Sequence, residues 1–343
     1  MRKIPTRTLL VGASSLAVML TATSLLAAER TLKFHSGYAE SRPEAGFVDD
    51  FAALVSEKSG GELEIDVYHA GSLGLKEPDM LRTLQRGMVD MALLYGEYYT
   101  RDAPELSAVY AQGAIKEAEE HLDMLPTLRE IYAREYGEWG IKTIGGVVSP
   151  VFNVGVHCKE PANTLAELEE RKLRVWSAHL VGTFTRLDIS AQVVPQNDMY
   201  MALQTGVVDC AYYLSTVAET VSLNEVTDYE AYLHPWAAAP AMFGISQRTW
   251  TSLSDEQRAV LEEAGQEIWE TTRAMAVDPQ REAEARAHRE SLGITMLEPF
   301  SDEDVARFQA AALEAWEELA RRAGEDGLAI FDEVTDRIRQ INE

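Results

Sequence analysis

Apolar residues along this chain switch between a period near two and a period between three and four, and the switches mark its elements. "TLKFH", from Thr31, reads as a short strand. "PEAGFVDDFAALVSEKSGG" follows as a helix: Pro43 suits a first turn, Phe47, Phe51, Leu54 and Val55 share a face, and Gly60-Gly61 ends it. "ELEIDVYHAG" alternates strictly, with Leu63, Ile65 and Val67 on one side, as a half-buried strand does. A helix through Met80, Leu81 and Leu84 leads to a third strand, "MVDMALLYG". Together these make a βαβαβ unit, the pattern of a mostly parallel sheet covered by helices.

The same order then returns. A helical stretch near 117–137 precedes strand-like runs at 142–148 and 151–157. After them come "KLRVW", a helix from about Leu180, "AQVVP", a helix over 198–204, and "VVDCAYYL". Two such units in series predict two similar lobes. Small ligands of such sheets bind outside the carboxyl ends of the strands. That places the candidate mouth at 35–40, 69–73, 95–99, 174–179, 196–198 and 212–215.

The remainder is mainly helical. "SDEQ" at Ser254 and "SDED" at Ser301 have the form of capping boxes, in which the serine oxygen accepts an N3 amide and the N3 side chain reaches back. From Ser254 the pattern Val260, Leu261, Ala264, Ile268, Trp269 runs past residue 275 without a glycine before Gly293, predicting a helix long enough to lie across both lobes. From Ser301, Val305, Phe308, Ala312, Leu313, Trp316 and Leu319 form one stripe that suits core packing.

The first residues alter the picture of where the chain works. Arg2, Lys3 and Arg7 precede the apolar "TLLVGASSLAVMLTATSLLAA", which reads as an export signal over 1–28. Removing those three basic residues from 31 leaves 28 against 56 acidic ones, a mature charge of −28. That argues against nucleic acid as a partner, since phosphates need a basic footprint. The remaining length exceeds what one core supports and predicts two domains. Cys158 and Cys210 either pair or stand as two buried thiols, a choice that spacing leaves open.

Catalytic signatures are missing from the sequence. It has no G-x-S-x-G, H-E-x-x-H, C-x-x-C, Walker loop or G-x-G-x-x-G, and its seven histidines show no metal-ligand spacing. "GSLG" at 71–74 reads as a strand-to-helix turn as readily as an anion loop. Two lobes without such machinery suggest a protein that closes around a small molecule, with no cofactor or metal. A secreted hydrolase or lyase is the reading from another class.

Several stretches resemble the DctP-type solute-binding proteins of TRAP transporters. "SGGELEIDVYHAGSLG" and "LQRGMVDMALL" are similar to first-lobe runs of that family, and "KLRVWS" followed by "NDMYMALQTGVVDCAYY" resembles its K-x-R-V and A-L-Q-T-G-V-V-D-G blocks. The resemblance runs from about residue 31 to the C terminus. It implies an α/β two-lobed periplasmic binding protein fold, each lobe a mostly parallel sheet flanked by helices, with a long helix spanning both. The first lobe is expected over 29–150 plus about 237–285, and the second over 151–236 plus about 286–343. The resemblance also implies a periplasmic receptor that hands an organic acid to a membrane permease of small and large subunits; a monomer is expected.

By position, the resemblance makes Arg174 the residue that holds a ligand carboxylate. Chemistry supports the choice independently, because a planar guanidinium donates two parallel hydrogen bonds to one carboxylate and lysine cannot. The sequence departs from the family at Cys210, where glycine is usual, and at Tyr213, which falls on or beside a ligand-holding asparagine. It also lacks an arginine on "PVFNVGV". Aromatics crowd the expected mouth instead: Tyr38, Tyr95, Tyr98, Trp176, Tyr212, Tyr213 and Trp236, with Tyr99 beside them. They suit an aromatic or apolar carboxylate by stacking, or an ammonium group by cation–π attraction, for which Glu97 would be the partner. An amine or zwitterion is therefore the alternative ligand.

Overall fold

The computed structural model describes residues 30–343 other than 39, 41, 71 and 195. The expected export signal lies outside the described residues. In chain order the elements are β1 (Arg30–His35), α1 (Pro43–Lys58), β2 (Leu63–Tyr68), α2 (Met80–Gln85), β3 (Met91–Leu94), α3 (Ala118–Glu138), β4 (Ile141–Val147) and β5 (Val151–Cys158). Next come α4 (Leu165–Glu169), β6 (Lys172–Val175), α5 (Ala178–Thr185), β7 (Ser190–Val193), α6 (Gln196–Gln204), β8 (Cys210–Leu214), β9 (Tyr229–Ala237) and β10 (Ala241–Ser246). The chain ends with α7 (Gln247–Thr251), α8 (Asp255–Ala276), α9 (Pro279–Ser291), β11 (Thr295–Met296), α10 (Asp302–Arg322) and α11 (Glu325–Ile341).

These strands form two sheets, ordered β2-β1-β3-β10-β4 and β11-β9-β5-β8-β6-β7. Each sheet is parallel except for one reversed strand: β10 is antiparallel to β3 and β4, and β5 is antiparallel to β8 and β9. The reversed strand in each case arrives from the other sheet, since β5 follows β4 and β10 follows β9 after three residues. Two extended connections at 148–150 and 238–240 thus join the lobes side by side.

The helix expected to run unbroken beyond Ser254 is two helices. Ser254 and Gln257 make the capping box that starts α8, but Pro279 has no N–H to continue the ladder. Asp278 accepts from the amides of Gln280 and Arg281 and starts α9 afresh. The pair still bridges the lobes: α8 packs on β4 and α1, whereas α9 packs beside β11 and the 3-10 turn Ser215–Val221. α8 approaches β4 so closely that a Cβ on Gly265 would lie 1.8 Å from the Ile144 carbonyl oxygen. Only glycine fits there.

At Ser301 the expected capping box is half made. Ser301 accepts the Asp304 amide, but the Asp304 carboxylate is turned to the Leu165 amide at 3.3 Å, tying α10 to α4. α10 packs on α5 of the second lobe and on the Pro104–Ala108 turn of the first. α11, expected with the second lobe, packs on α3 and that same turn. Cys158 and Cys210, paired neighbours on β5 and β8, form a disulfide. Among the described residues no helix is long and apolar enough to cross a membrane.

Candidate functional site

Arg174 lies near the end of β6, between β7 and β8, in register with Gln192 and Ala211. It is 1 % exposed. Its Nε donates to the Val194 carbonyl at 2.9 Å and Nη1 to the Tyr212 carbonyl at 3.4 Å. Its guanidinium lies 5.5 Å from the centroid of the Tyr213 ring. Burial lowers its pKa to about 10, so it keeps its charge at neutral pH. No carboxylate forms an ion pair with it among the described residues, although buried charges are ordinarily paired.

Successive strand residues face opposite sides of a sheet, and this separates the two tyrosines of β8. Tyr213 shares the Arg174 side, with its ring beside the guanidinium. Tyr212 is fully buried on the other side: its hydroxyl meets His234 Nε2 at 2.5 Å, and its ring packs on Phe184 and Phe308. Tyr212 is therefore a core residue and not a cleft-lining one, a correction to the expectation. Trp176 is half-buried at the strand end, 4.7 Å from the Tyr212 ring and 5.8 Å from Trp236, which stacks on Phe152.

The other expected residues gather on the first lobe. Tyr38, Tyr95 and Tyr98 wall a hollow of about 40 Å³ with Gly37, Leu93 and Glu77. Tyr95 and Tyr98 meet edge to face at 5.4 Å, and Arg42 lies over the Tyr38 ring at 4.8 Å. Tyr99 points away into the core against Tyr136. Glu97, between Tyr95 and Tyr98 in sequence, keeps an exposed surface, yet desolvation by the protein around it pushes its carboxyl up. The sequence reading missed Glu77, whose Oε1 lies 2.6 Å from Nε2 of the fully buried His35.

The expected residues thus fall into two groups. Arg174, Tyr213, Trp176 and Trp236 belong to one lobe, and Tyr38, Tyr95, Tyr98 and Glu97 to the other. No hydrogen bond, ion pair or ring contact joins the two sets among the described residues.

A further cavity of about 300 Å³ lies where β5, β9 and the α8–α9 junction meet. Glu230 on its wall accepts from Ser215 Oγ at 2.5 Å, pairs with Arg289 Nε at 2.6 Å and lies 3.8 Å from His157. Burial raises the pKa of the neighbouring Glu282 to about 7, against a weak opposing contact from the Asn153 backbone N–H that falls short of a full hydrogen bond.

Comparison with known proteins agrees with this architecture. The family model for bacterial extracellular solute-binding proteins, family 7 (DctP), matches residues 34–323. The C4-dicarboxylate-binding periplasmic protein DctP of Rhodobacter capsulatus is 23% identical, with 95% of this chain and 97% of that protein covered. The ectoine-binding periplasmic protein TeaA of Halomonas elongata is 21% identical, covering 97% of each. A TRAP periplasmic solute-binding protein from Sulfitobacter sp. NAS-14.1, solved with bound beta-D-galacturonate, has a TM-score of 0.69 at 22% identity, over 90% of this chain and 100% of that one. With its crossing strands, bridging helices and family match over most of its length, this chain belongs to the DctP family of TRAP periplasmic solute-binding proteins.

Proposed function

We propose that the protein is a periplasmic receptor that captures a small organic carboxylate between its lobes and delivers it to a TRAP permease. One observation carries this reading. Arg174 is a buried, charged guanidinium with a tyrosine beside it and no carboxylate of its own, so an external carboxylate supplies the missing partner. The proteins it resembles are named for acids or zwitterions that carry a carboxylate. An amine lacking a carboxylate would meet Arg174 as a like charge, which disfavours that ligand class.

Lobe closure would bring the tyrosine-rich half-site against Arg174 and present a new surface to the small and large permease subunits. Export through residues 1–28, action as a monomer and release of the ligand chemically unchanged complete the proposal. The test is calorimetric titration of the acid that copurifies with the protein, released by unfolding and identified by mass. Charge-assisted bonds contribute about 1.5–3 kcal/mol each, so Arg174→Lys, which loses the paired donors, should weaken binding about 10- to 100-fold. Unchanged affinity in Arg174→Ala overturns the assignment, and recovery of a product in place of the acid would point to an enzyme.

A further inference from the structure

The first-lobe half-site contains a hydrogen-bond acceptor that is built in place. His35 ends β1 with no exposure, and its Nε2 holds Glu77 Oε1 at 2.6 Å across 42 residues of sequence. The carboxylate lies against Gly37, where any Cβ would come within 2.3 Å of that oxygen. Glu77 is 23% exposed and lines the tyrosine-walled hollow, and its second oxygen has no hydrogen-bond partner among the described residues. Arg42, the cation over the Tyr38 ring, is already engaged: it donates to both oxygens of Glu44, at 3.2 and 2.7 Å. Glu77 and the exposed Glu97 therefore leave this side acidic, whereas the second lobe offers Arg174.

The two halves thus ask for different ends of one ligand. A hollow of about 40 Å³ cannot enclose a whole molecule, since pockets that bury a ligand run to roughly 300 Å³ or more, so it takes one edge of the ligand and the closing lobe covers the rest. Rings at the hollow's wall favour a flat unsaturated body. A second carboxylate at this end would face Glu77 as a like charge, whereas a hydroxyl or ring N–H would satisfy it.

From this we infer that the ligand is a cyclic monocarboxylate, its carboxylate on Arg174, its flat ring against Tyr95 and Tyr98, and a neutral donor at its far end bound by Glu77. The inference rests on the carboxylate reading of Arg174.

Four probes separate these features by calorimetry: 4-hydroxybenzoate, benzoate, terephthalate and trans-4-hydroxycyclohexanecarboxylate. The expected order places 4-hydroxybenzoate at least 10-fold tighter than each of the others. Tyr98→Ala, at an exposed position, should cost 4-hydroxybenzoate about 10-fold while leaving the unfolding temperature of the free protein unchanged. Glu77→Gln keeps a partner for His35 and should abolish the preference over benzoate. Terephthalate or the saturated acid binding as tightly as 4-hydroxybenzoate would overturn the inference, as would a Glu77→Gln variant that kept the preference. Binding of none of the four also overturns it. In every such case the receptor reading stands or falls separately, on whether the copurified acid is lost in Arg174→Ala.

Discussion

Arg174 and Tyr213 stand side by side on neighbouring strands, the guanidinium 5.5 Å from the ring centroid, in a place that no carboxylate of the described chain reaches. A buried arginine that served the fold would be paired, and removing one partner of a buried pair costs about 3–5 kcal/mol. Here two bonds to backbone carbonyls and the face of the Tyr213 ring are its only polar partners among the described residues.

Arg174→Met should accordingly leave the ligand-free protein within about 1 kcal/mol of its original stability, because two lost hydrogen bonds are offset by relief of a buried charge. The stabilisation that ligand gives the original protein should disappear in the variant. Thermal unfolding with and without the copurified acid measures both. A loss of several kcal/mol in the ligand-free variant would make the arginine structural.

How much of this was legible in the sequence depended on how local each cause is. Strand and helix periods recovered most elements up to β8 but not β9 and β10, and Arg174 was singled out by its place in a family-like run on β6. Period-two alternation also separates Tyr212 from Tyr213, so placing both in the mouth ignored a signal that was present. The same holds at Asp278-Pro279, a helix-start signature that the apolar stripe of α8 obscured. Strand direction is different: alternation is the same in either direction, so the reversal of β5 and β10 could not be read. Nor could the pairing of His35 with Glu77, which depends on how β1 and the turn before α2 come together in space.

Gly265 marks the tightest contact between the bridging helix and the sheet. Gly265→Ala would place a methyl 1.8 Å from the Ile144 carbonyl oxygen, so α8 must move off β4. Overpacking of this kind costs about 3 kcal/mol, a fall of roughly 5 °C in Tm for a chain of this size. Differential scanning calorimetry should show that fall, and an unchanged Tm would mean that α8 sits further from β4.

His121 on α3 is fully buried against the Tyr110 ring, with both ring nitrogens lacking partners among the described residues. Burial lowers its pKa to about 4, from an unfolded value of about 6.5. The unfolded chain then binds the extra proton between those two values, so this group's stability is present above pH 6.5 and is lost as pH falls toward 4. His121→Phe keeps the ring and removes the proton site. Denaturant titrations should find the variant close to the original at pH 7.5 and more stable at pH 4.5, by up to about 3 kcal/mol. Parallel losses in both proteins would assign the acid sensitivity elsewhere.

Glu282 predicts the opposite slope in the same experiment. Its carboxyl is raised to about 7 by burial in the cavity at the α8–α9 junction, near Glu230 and Asp278, with the Asn153 backbone N–H and then Arg281, 3.8 Å away, as partial counters. The folded chain therefore holds its proton between the unfolded value, about 4.3, and 7, and the stability this confers is lost as pH rises through that window. Above pH 7 the folded state carries a poorly satisfied buried charge, which costs at most about 3 kcal/mol. Glu282→Gln keeps the shape without the charge, so it should match the original at pH 4.5 and exceed its stability at pH 8. Because the buried histidines are common to both proteins, the difference between the two curves isolates this one carboxyl. A variant less stable than the original at pH 8 would mean that the ionised carboxylate is held by a favourable partner, such as Arg281 or Arg286 on the same helix.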